Sequence, residues 1–245
     1  MVRHMAEKKV TELFGKSAAE TYDERFSKTR AIKDNLHLLI RLILDGLPSD
    51  ASILCVGIGT GDDIIGLADA FPAWTFTGVD PSVHMLEVCR NRLQEHSLLS
   101  RCELVHGYLD DIPEVPRFDA VLCLLVTQFV KDAVARSGMF RGMAERLKPG
   151  GILINSEISD DMGSPEFQDM AEIWKAMHRF TGASEQKAQG VIQALRDHVA
   201  VEPPSVIKGY LRESGLALPV QFFQSLLIRA WYSRKPSGAD TLTVK

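Results

Sequence analysis

Three glycines at alternate positions interrupt an apolar run in Ile53-Leu54-Cys55-Val56-Gly57-Ile58-Gly59-Thr60-Gly61-Asp62-Asp63, and a helix-like pattern follows. This combination predicts a buried strand that ends in a turn tight enough for a ligand to lie against bare backbone. Glycine accepts positive φ at low cost, and the helix beyond it begins with unpaired N–H groups. Taken alone, such a turn is also a plain connection between strand and helix.

About 20 residues past the last glycine the chain reads Trp74-Thr75-Phe76-Thr77-Gly78-Val79-Asp80-Pro81-Ser82, at the spacing where a dinucleotide-binding unit carries its ribose-binding acid. Asp80 ends a β-rich run and precedes a helical pattern through Met85, Val88 and Leu93. Its carboxylate therefore falls at the carboxyl end of a second strand. There it either accepts the hydroxyls of a ribose or caps the helix from Ser82 to Glu95.

The rest of the composition narrows the choice of partner. A chain of 245 residues suits one large α/β domain, and 45% hydrophobic with 24% charged residues supports a sizeable core. The formal charge of −4 argues against a broad phosphate-binding surface, and the nearest thing to a basic run, Arg25, Lys28 and Arg30, reads as a solvated helix face. Cys55, Cys89, Cys102 and Cys123 lack metal-ligand spacing and read as small buried hydrophobes in a reducing compartment. The histidines form no HExxH pattern, so no metal is expected. No apolar stretch reaches about 18 residues and no signal-peptide layout opens the chain, which predicts a soluble, cytoplasmic protein. Met5 reads as the natural start, with the residues before it a cloning scar.

Helical patterns from about Val10 to Leu47 include Leu36, Leu39, Ile40, Ile43 and Leu44 on one face. Beyond Pro48, strands are predicted near 51–56, 74–79, 102–106, 118–124 and 151–157, with helices near 62–70, 83–95 and 133–147. Such alternation means a parallel, doubly wound sheet covered by helices on both faces. Lys148-Pro149-Gly150-Gly151 reads as a sharp turn before the fifth strand. From Ser164 to Val199 the chain is helical, too long for a simple connection, and is expected to form a lid over the carboxyl edge of the sheet. A helix after Pro203-Pro204 and two closely spaced β-rich runs, 217–224 and 226–234, complete the pattern; the last two must pair antiparallel.

These motifs together resemble the class I S-adenosylmethionine-dependent methyltransferases, from about Ser49 to Lys235. The resemblance implies an α/β, Rossmann-like, seven-stranded and mostly parallel sheet with an antiparallel C-terminal hairpin. It divides the chain into N-terminal helices over 1–48 that contribute to the lid, a methyltransferase-like domain over 49–235 with its helical insertion at 164–199, and a disordered tail over 236–245. It also implies that Gly57, Gly59 and Gly61 flank the methionine part of S-adenosylmethionine, that Asp80 binds the ribose, and that Ser82 and Met85 lie near the adenine. Two positions depart from the family pattern. Cys55 stands where the family carries an acid for the cofactor's ammonium group, and Tyr108 where it carries an acid facing the adenine. Either Asp110 supplies that carboxylate, or Leu109 and backbone groups hold the adenine; Tyr108 itself could equally stack on it. In the second half, Thr127-Gln128-Phe129-Val130, Ser156-Glu157, Trp174, Glu185-Gln186-Lys187 and Phe222-Phe223-Gln224-Ser225 look like the branch that includes carboxy-S-adenosylmethionine synthase. That branch has an arginine where this chain has Ala188.

Methyl transfer from a sulfonium is an in-line displacement, which needs the acceptor placed and water excluded, and needs a base only when the acceptor must lose a proton. Residues at the strand ends and in the lid are the candidates: Gln128, Glu157 and His178 for catalysis, and Tyr22, Phe26, Trp174 and Gln224 for contact with substrate. Each has a plainer reading, with Trp174 and Phe180 as lid core, His178 packed beside Trp174, and Glu157 as a strand-end acid. The expected partners are a small-molecule substrate and a second copy of the chain, with neither nucleic acid nor membrane. Two rivals stay open: an enzyme that uses the cofactor for non-methylating chemistry, and a non-catalytic cofactor-binding protein.

Overall fold

The computed structural model describes residues 15–20 and 27–237, so the candidates Tyr22 and Phe26, and the tail beyond Ser237, lie outside the described residues. Its centre is a seven-stranded sheet in the order β3-β2-β1-β4-β5-β7-β6. The strands are β1 (Ser52–Val56), β2 (Thr75–Asp80), β3 (Cys102–His106), β4 (Phe118–Leu124), β5 (Leu147–Ile158), β6 (Ala217–Ser225) and β7 (Ile228–Arg234). The first five run parallel, and β7 is antiparallel to both β5 and β6.

Alternation along the strands decides which helix covers which face. Ile53 and Cys55 of β1, with Ala120, Leu122, Ile152 and Ile154, face one layer. That layer is α2 (Arg30–Leu44), α3 (Asp62–Ala68) and α4 (Val83–Glu95), which contribute Leu36, Ile40, Leu44, Ile64, Leu67, Cys89 and Leu93. The short α1 (Lys16–Glu20) packs against α4. Leu54, Val56, Val121, Cys123, Leu153 and Trp231 face the other layer. There α5 (Ala133–Arg146) and α8 (Pro204–Glu213) supply Phe140, Met143, Ile207 and Leu211. Each fully buried leucine of this kind contributes roughly 1.5–3 kcal/mol.

The segment after β5 forms two helices, α6 (Pro165–Phe180) and α7 (Glu185–His198), broken at Gly182 with φ +104°. Ser164 and Ser184 cap them, accepting from Phe167 N at 3.0 Å and from Lys187 N at 3.3 Å. Their apolar faces, with Phe167, Ala171, Trp174 and Leu195, close over Phe129, Ile158 and Leu227 at the carboxyl edge. This packing also explains the hairpin between β6 and β7. Its turn, Leu226-Leu227, has none of the usual asparagine or glycine, and Leu226 takes φ +52°, because the turn is seated under the helical pair.

Both stems of the helical pair are tied to the sheet. Gln128 Oε1 accepts from Ile158 N at 2.7 Å on the way in, and Gln128 O accepts from Ala200 N at 2.8 Å on the way out. Ser159 Oγ donates to Glu202 O at 2.7 Å, and Arg136 Nη1 donates to Ala200 O at 3.1 Å. Arg136 is also ion-paired with Glu157, and both are fully buried.

The sharp turn expected at Lys148–Gly151 is instead part of β5. The strand starts at Leu147, and its register against β4 jumps from Phe118↔Leu147 to Ala120↔Ile152. Gly150, at φ +80°, makes this jog possible and donates to Lys235 O at 2.9 Å.

Removing one member of the buried ion pair leaves the other charge uncompensated. Arg136→Met is expected to destabilise the chain by about 3–5 kcal/mol in urea denaturation, and adding Glu157→Gln to recover a large part of that. A double variant no more stable than the single one contradicts this account of the pair.

Candidate functional site

The glycine turn sits at the carboxyl ends of β1 and β2, where the sheet order reverses around β1 and β4. Gly57, Gly59 and Gly61 have φ of +69°, +56° and +86°, so all three positions need a residue that tolerates the left-handed region. At Gly57 a side chain would run into Val126, and at Gly61 it would meet Cys89 Sγ at 2.8 Å. At Gly59 nothing lies within 4 Å of the place a Cβ would occupy. That open space over bare backbone is the approach the sequence predicts for a ligand. The β4 end loop closes on the same turn. Leu125 takes φ +59° and donates to Ser156 O at 2.7 Å, which brings Val126 against Gly57. A leucine held in this region costs about 1–2 kcal/mol.

Asp80 ends β2 and is buried. Its Oδ2 accepts from Gly59 N at 2.9 Å and its Oδ1 from Ser82 N at 2.8 Å. Burial pushes its carboxyl up from the ordinary 3.8, against the backbone N–H groups of Ser82 and Gly59 and the nearby His106, which pull it down. Of the two readings open for Asp80, helix capping belongs to another residue. Ser82 is the N-cap of α4, its Oγ accepting from Met85 N at 3.3 Å. Met85 is buried beneath that first turn.

On the β3 side, Asp111 folds back and its Oδ2 accepts from Tyr108 N at 2.8 Å, shaping the short turn Leu109–Asp111. Leu109 is buried in the layer that holds Val79 and Met143, whereas Asp110 is exposed. Cys55 lies at the end of β1 with its thiol fully buried, and burial, with a smaller push from Asp63, raises its pKa well above the usual value. It is a neutral group.

Sequence reasoning missed a polar frame around the turn. Arg92 of α4 donates to Thr60 O and Thr60 Oγ1, both at 3.0 Å, and pairs with Asp62. Lys33 of α2 pairs with the other oxygen of Asp62, and His37 Nε2 bonds Asp63 Oδ1 at 2.9 Å. These pairings join residues about 30 positions apart, which local pattern cannot show.

At the acceptor side, three expectations are corrected. Glu157 is fully buried, with Oε1 taken by Asn155 Nδ2 at 2.8 Å and Oε2 by Arg136, so it is framework rather than a base. Gln128 is buried and committed to the two stems. Gln224 is exposed on the outermost strand and accepts from Arg229 Nη1 at 3.0 Å, away from the glycine turn. A signal for the ion pair was present: Arg136 falls in register with Phe140 and Met143 on the apolar stripe of α5. Trp174 and His178 remain together on α6, rings edge-to-face at 5.6 Å between centroids. The Trp174 indole N–H is buried without a hydrogen-bond partner among the described residues. Burial lowers the pKa of His178 below its ordinary 6.5. Among the described residues no group of three or more His, Cys, Asp or Glu is placed to hold a metal, and no helix is long and apolar enough to cross a membrane.

Residues 53–151 match the methyltransferase domain family. Carboxy-S-adenosyl-L-methionine synthase of Methylococcus capsulatus is 27% identical over 144 residues, covering 58% of this chain and 59% of that protein. Demethylmenaquinone methyltransferase of Bacillus licheniformis is 30% identical over 139 residues, 56% of either chain. The chain thus aligns with less than two thirds of these two relatives' length. Magnesium protoporphyrin IX methyltransferase of Synechocystis PCC 6803, solved with bound SAH, shares the fold with a TM-score of 0.65 at 15% identity, over 94% of this chain and 99% of that one.

Titration of Asp80 gives this site a pH signature. Its folded pKa is raised, so between 3.8 and that raised value the folded chain holds the proton more firmly than the unfolded chain, and stability falls as pH rises through the window. A ribose held by Asp80 would need the ionised, accepting form, and affinity for S-adenosylhomocysteine would then fall as pH drops through the same window. Calorimetric titration over pH checks this: the inflection should be absent in Asp80→Asn, and its persistence there contradicts the assignment.

Proposed function

We propose, from the premise that the chain belongs to the class I S-adenosylmethionine-dependent methyltransferase superfamily, that it transfers the cofactor's methyl group to a small molecule held beneath α6 and α7. The observation that carries the reading is the open backbone at Gly59 beside the Asp80 carboxylate. This cradle fits a nucleoside with a slender aminoacyl arm. In it, Gly57, Gly59 and Gly61 would flank the aminoacyl part, Asp80 would take the ribose hydroxyls, and Ser82, Met85, Leu109 and Asp110 would border the adenine. When bound, the cofactor supplies an electrophilic methyl group on a sulfonium.

The chain's own work is then placement, exclusion of water and the handling of one proton. The helical pair, tied at both stems, covers the carboxyl edge and limits access for water. On α6, a buried indole N–H without a partner among the described residues and a neutral, half-buried imidazole stand side by side. That pair suits an acceptor with a hydroxyl or thiol beside a hydrogen-bond acceptor: Trp174 donates, and His178 takes the proton that the nucleophile releases. Tyr22 and Phe26 extend the same proposal to the N-terminal segment.

A second reading keeps the cofactor and changes the group transferred, and the likeness to carboxy-S-adenosyl-L-methionine synthases favours it. A carboxylated cofactor needs a spare cation near the sulfur. The arginines Arg136 and Arg229 at this edge are already matched by Glu157 and Asp160, and Ala188 is buried and neutral. Methyl transfer is therefore the better fit.

Dialysed protein incubated with labelled S-adenosylmethionine and a set of hydroxyl and thiol acceptors tests the reading. S-adenosylhomocysteine should accumulate together with a labelled acceptor; methylthioadenosine, or a modified cofactor without labelled acceptor, contradicts it. His178→Asn is expected to lower kcat by about 10²-fold at neutral pH while cofactor affinity holds. Since the neutral imidazole is the active form and its pKa is lowered, wild-type activity should rise with pH through an inflection below 6.5. An unchanged kcat in the variant would remove His178 from the chemistry.

A further inference from the structure

The aminoacyl arm of S-adenosylmethionine carries an α-ammonium group, and a cation brought out of water needs an anionic partner. The residue at the end of β1 cannot serve, because Cys55 is a buried, neutral thiol. Three carboxylates surround the glycine turn, and their oxygens are not equally free. Asp80 gives Oδ1 to Ser82 N and Oδ2 to Gly59 N. Asp62 gives Oδ1 to Arg92 and Oδ2 to Lys33, so two cations already balance its single charge. Asp63 gives Oδ1 to His37, and its Oδ2 has no partner among the described residues.

Position agrees with this inventory. Asp63 lies two residues past Gly61, in the first turn of α3, and its side chain is 18% exposed. Its negative charge is felt by the thiols of Cys55 on β1, Cys89 on α4 and Cys123 on β4. It therefore lies near the end of β1, beside the last glycine of the turn, while Asp80 is bonded to the middle one. His37 fixes the rotamer of the carboxylate from α2, which lowers the entropy lost when a ligand engages it.

We infer that the free Oδ2 of Asp63 receives the α-ammonium group of S-adenosylmethionine, in place of the acid missing at Cys55. The inference rests on the cofactor reading above and assigns a residue within it. It makes Asp63 a determinant of specificity for an aminoacyl nucleoside over a plain one.

Isothermal titration of the full chain with S-adenosylhomocysteine and with its des-amino analogue tests the assignment. Wild type is expected to bind S-adenosylhomocysteine about tenfold more tightly than the analogue, the range of one hydrogen bond to a charged group. Asp63→Asn should abolish that preference, weakening S-adenosylhomocysteine about tenfold and leaving the analogue within about twofold. His37→Ala, which removes the neighbour and keeps the carboxylate, should retain the preference. Equal affinity of wild type and Asp63→Asn for S-adenosylhomocysteine overturns the inference and leaves the cofactor reading standing. A parallel loss for both ligands overturns it too, since Asp63 would then act through helix packing. A wild-type chain that binds neither ligand overturns the cofactor reading, and the inference with it.

Discussion

The Asp80 carboxylate holds the architecture of the site together. One oxygen fixes the middle glycine of the turn after β1, the other fixes the start of α4 after β2, and the residue itself closes β2. A buried carboxylate is costly unless its lone pairs are used, and here two backbone N–H groups use them. The consequence is a turn whose shape depends on a charge. Gly57 can then tuck under Val126, Gly61 can rest on Cys89, and the backbone at Gly59 stays open. Arg92 of α4 secures the far side through Thr60 and Asp62, and Lys33 of α2 pairs with Asp62 as well, so two helices of the same layer brace the turn.

A second buried charge organises the acceptor side. Arg136 and Glu157 join α5 to the end of β5, and Arg136 also holds the segment that leaves the helical pair at Ala200. Gln128 ties the same exit and the entry at Ile158. The helical pair is thus fixed at its base, and at the far end of α6 Lys28 Nζ donates to Phe180 O at 3.2 Å while the Phe180 side chain is exposed. Glu157 and Gln128 serve the site by holding its cover in place. Trp174 and His178 stand together on α6 of that cover.

Much of the fold was legible in the sequence because its central strands are short, nearly continuous apolar runs, as strands buried on both faces require, and helices such as α2 carry one apolar face. Asp80 at the end of β2, the three glycines of the turn and the closing hairpin all lie where the local pattern puts them. What was not legible depends on distant pairing. Lys33 with Asp62, His37 with Asp63 and Arg136 with Glu157 are joined only once the sheet is assembled. The Leu226-Leu227 turn breaks the local rule for hairpins because tertiary burial outweighs it, and Lys148–Gly151 reads as a turn although pairing draws it into β5. Cys55 departs from the family pattern in sequence, and the structure gives the departure a physical setting. The thiol is core, and the charge near it belongs to α3.

Every role proposed for the site requires that the open backbone at Gly59, beside Asp80, hold an adenosyl cofactor. Calorimetric titration of the wild-type chain with S-adenosylhomocysteine at neutral pH measures that directly. The account predicts one site per chain with a dissociation constant on the order of micromolar, about 8 kcal/mol of binding free energy. Absence of binding at millimolar ligand would contradict it.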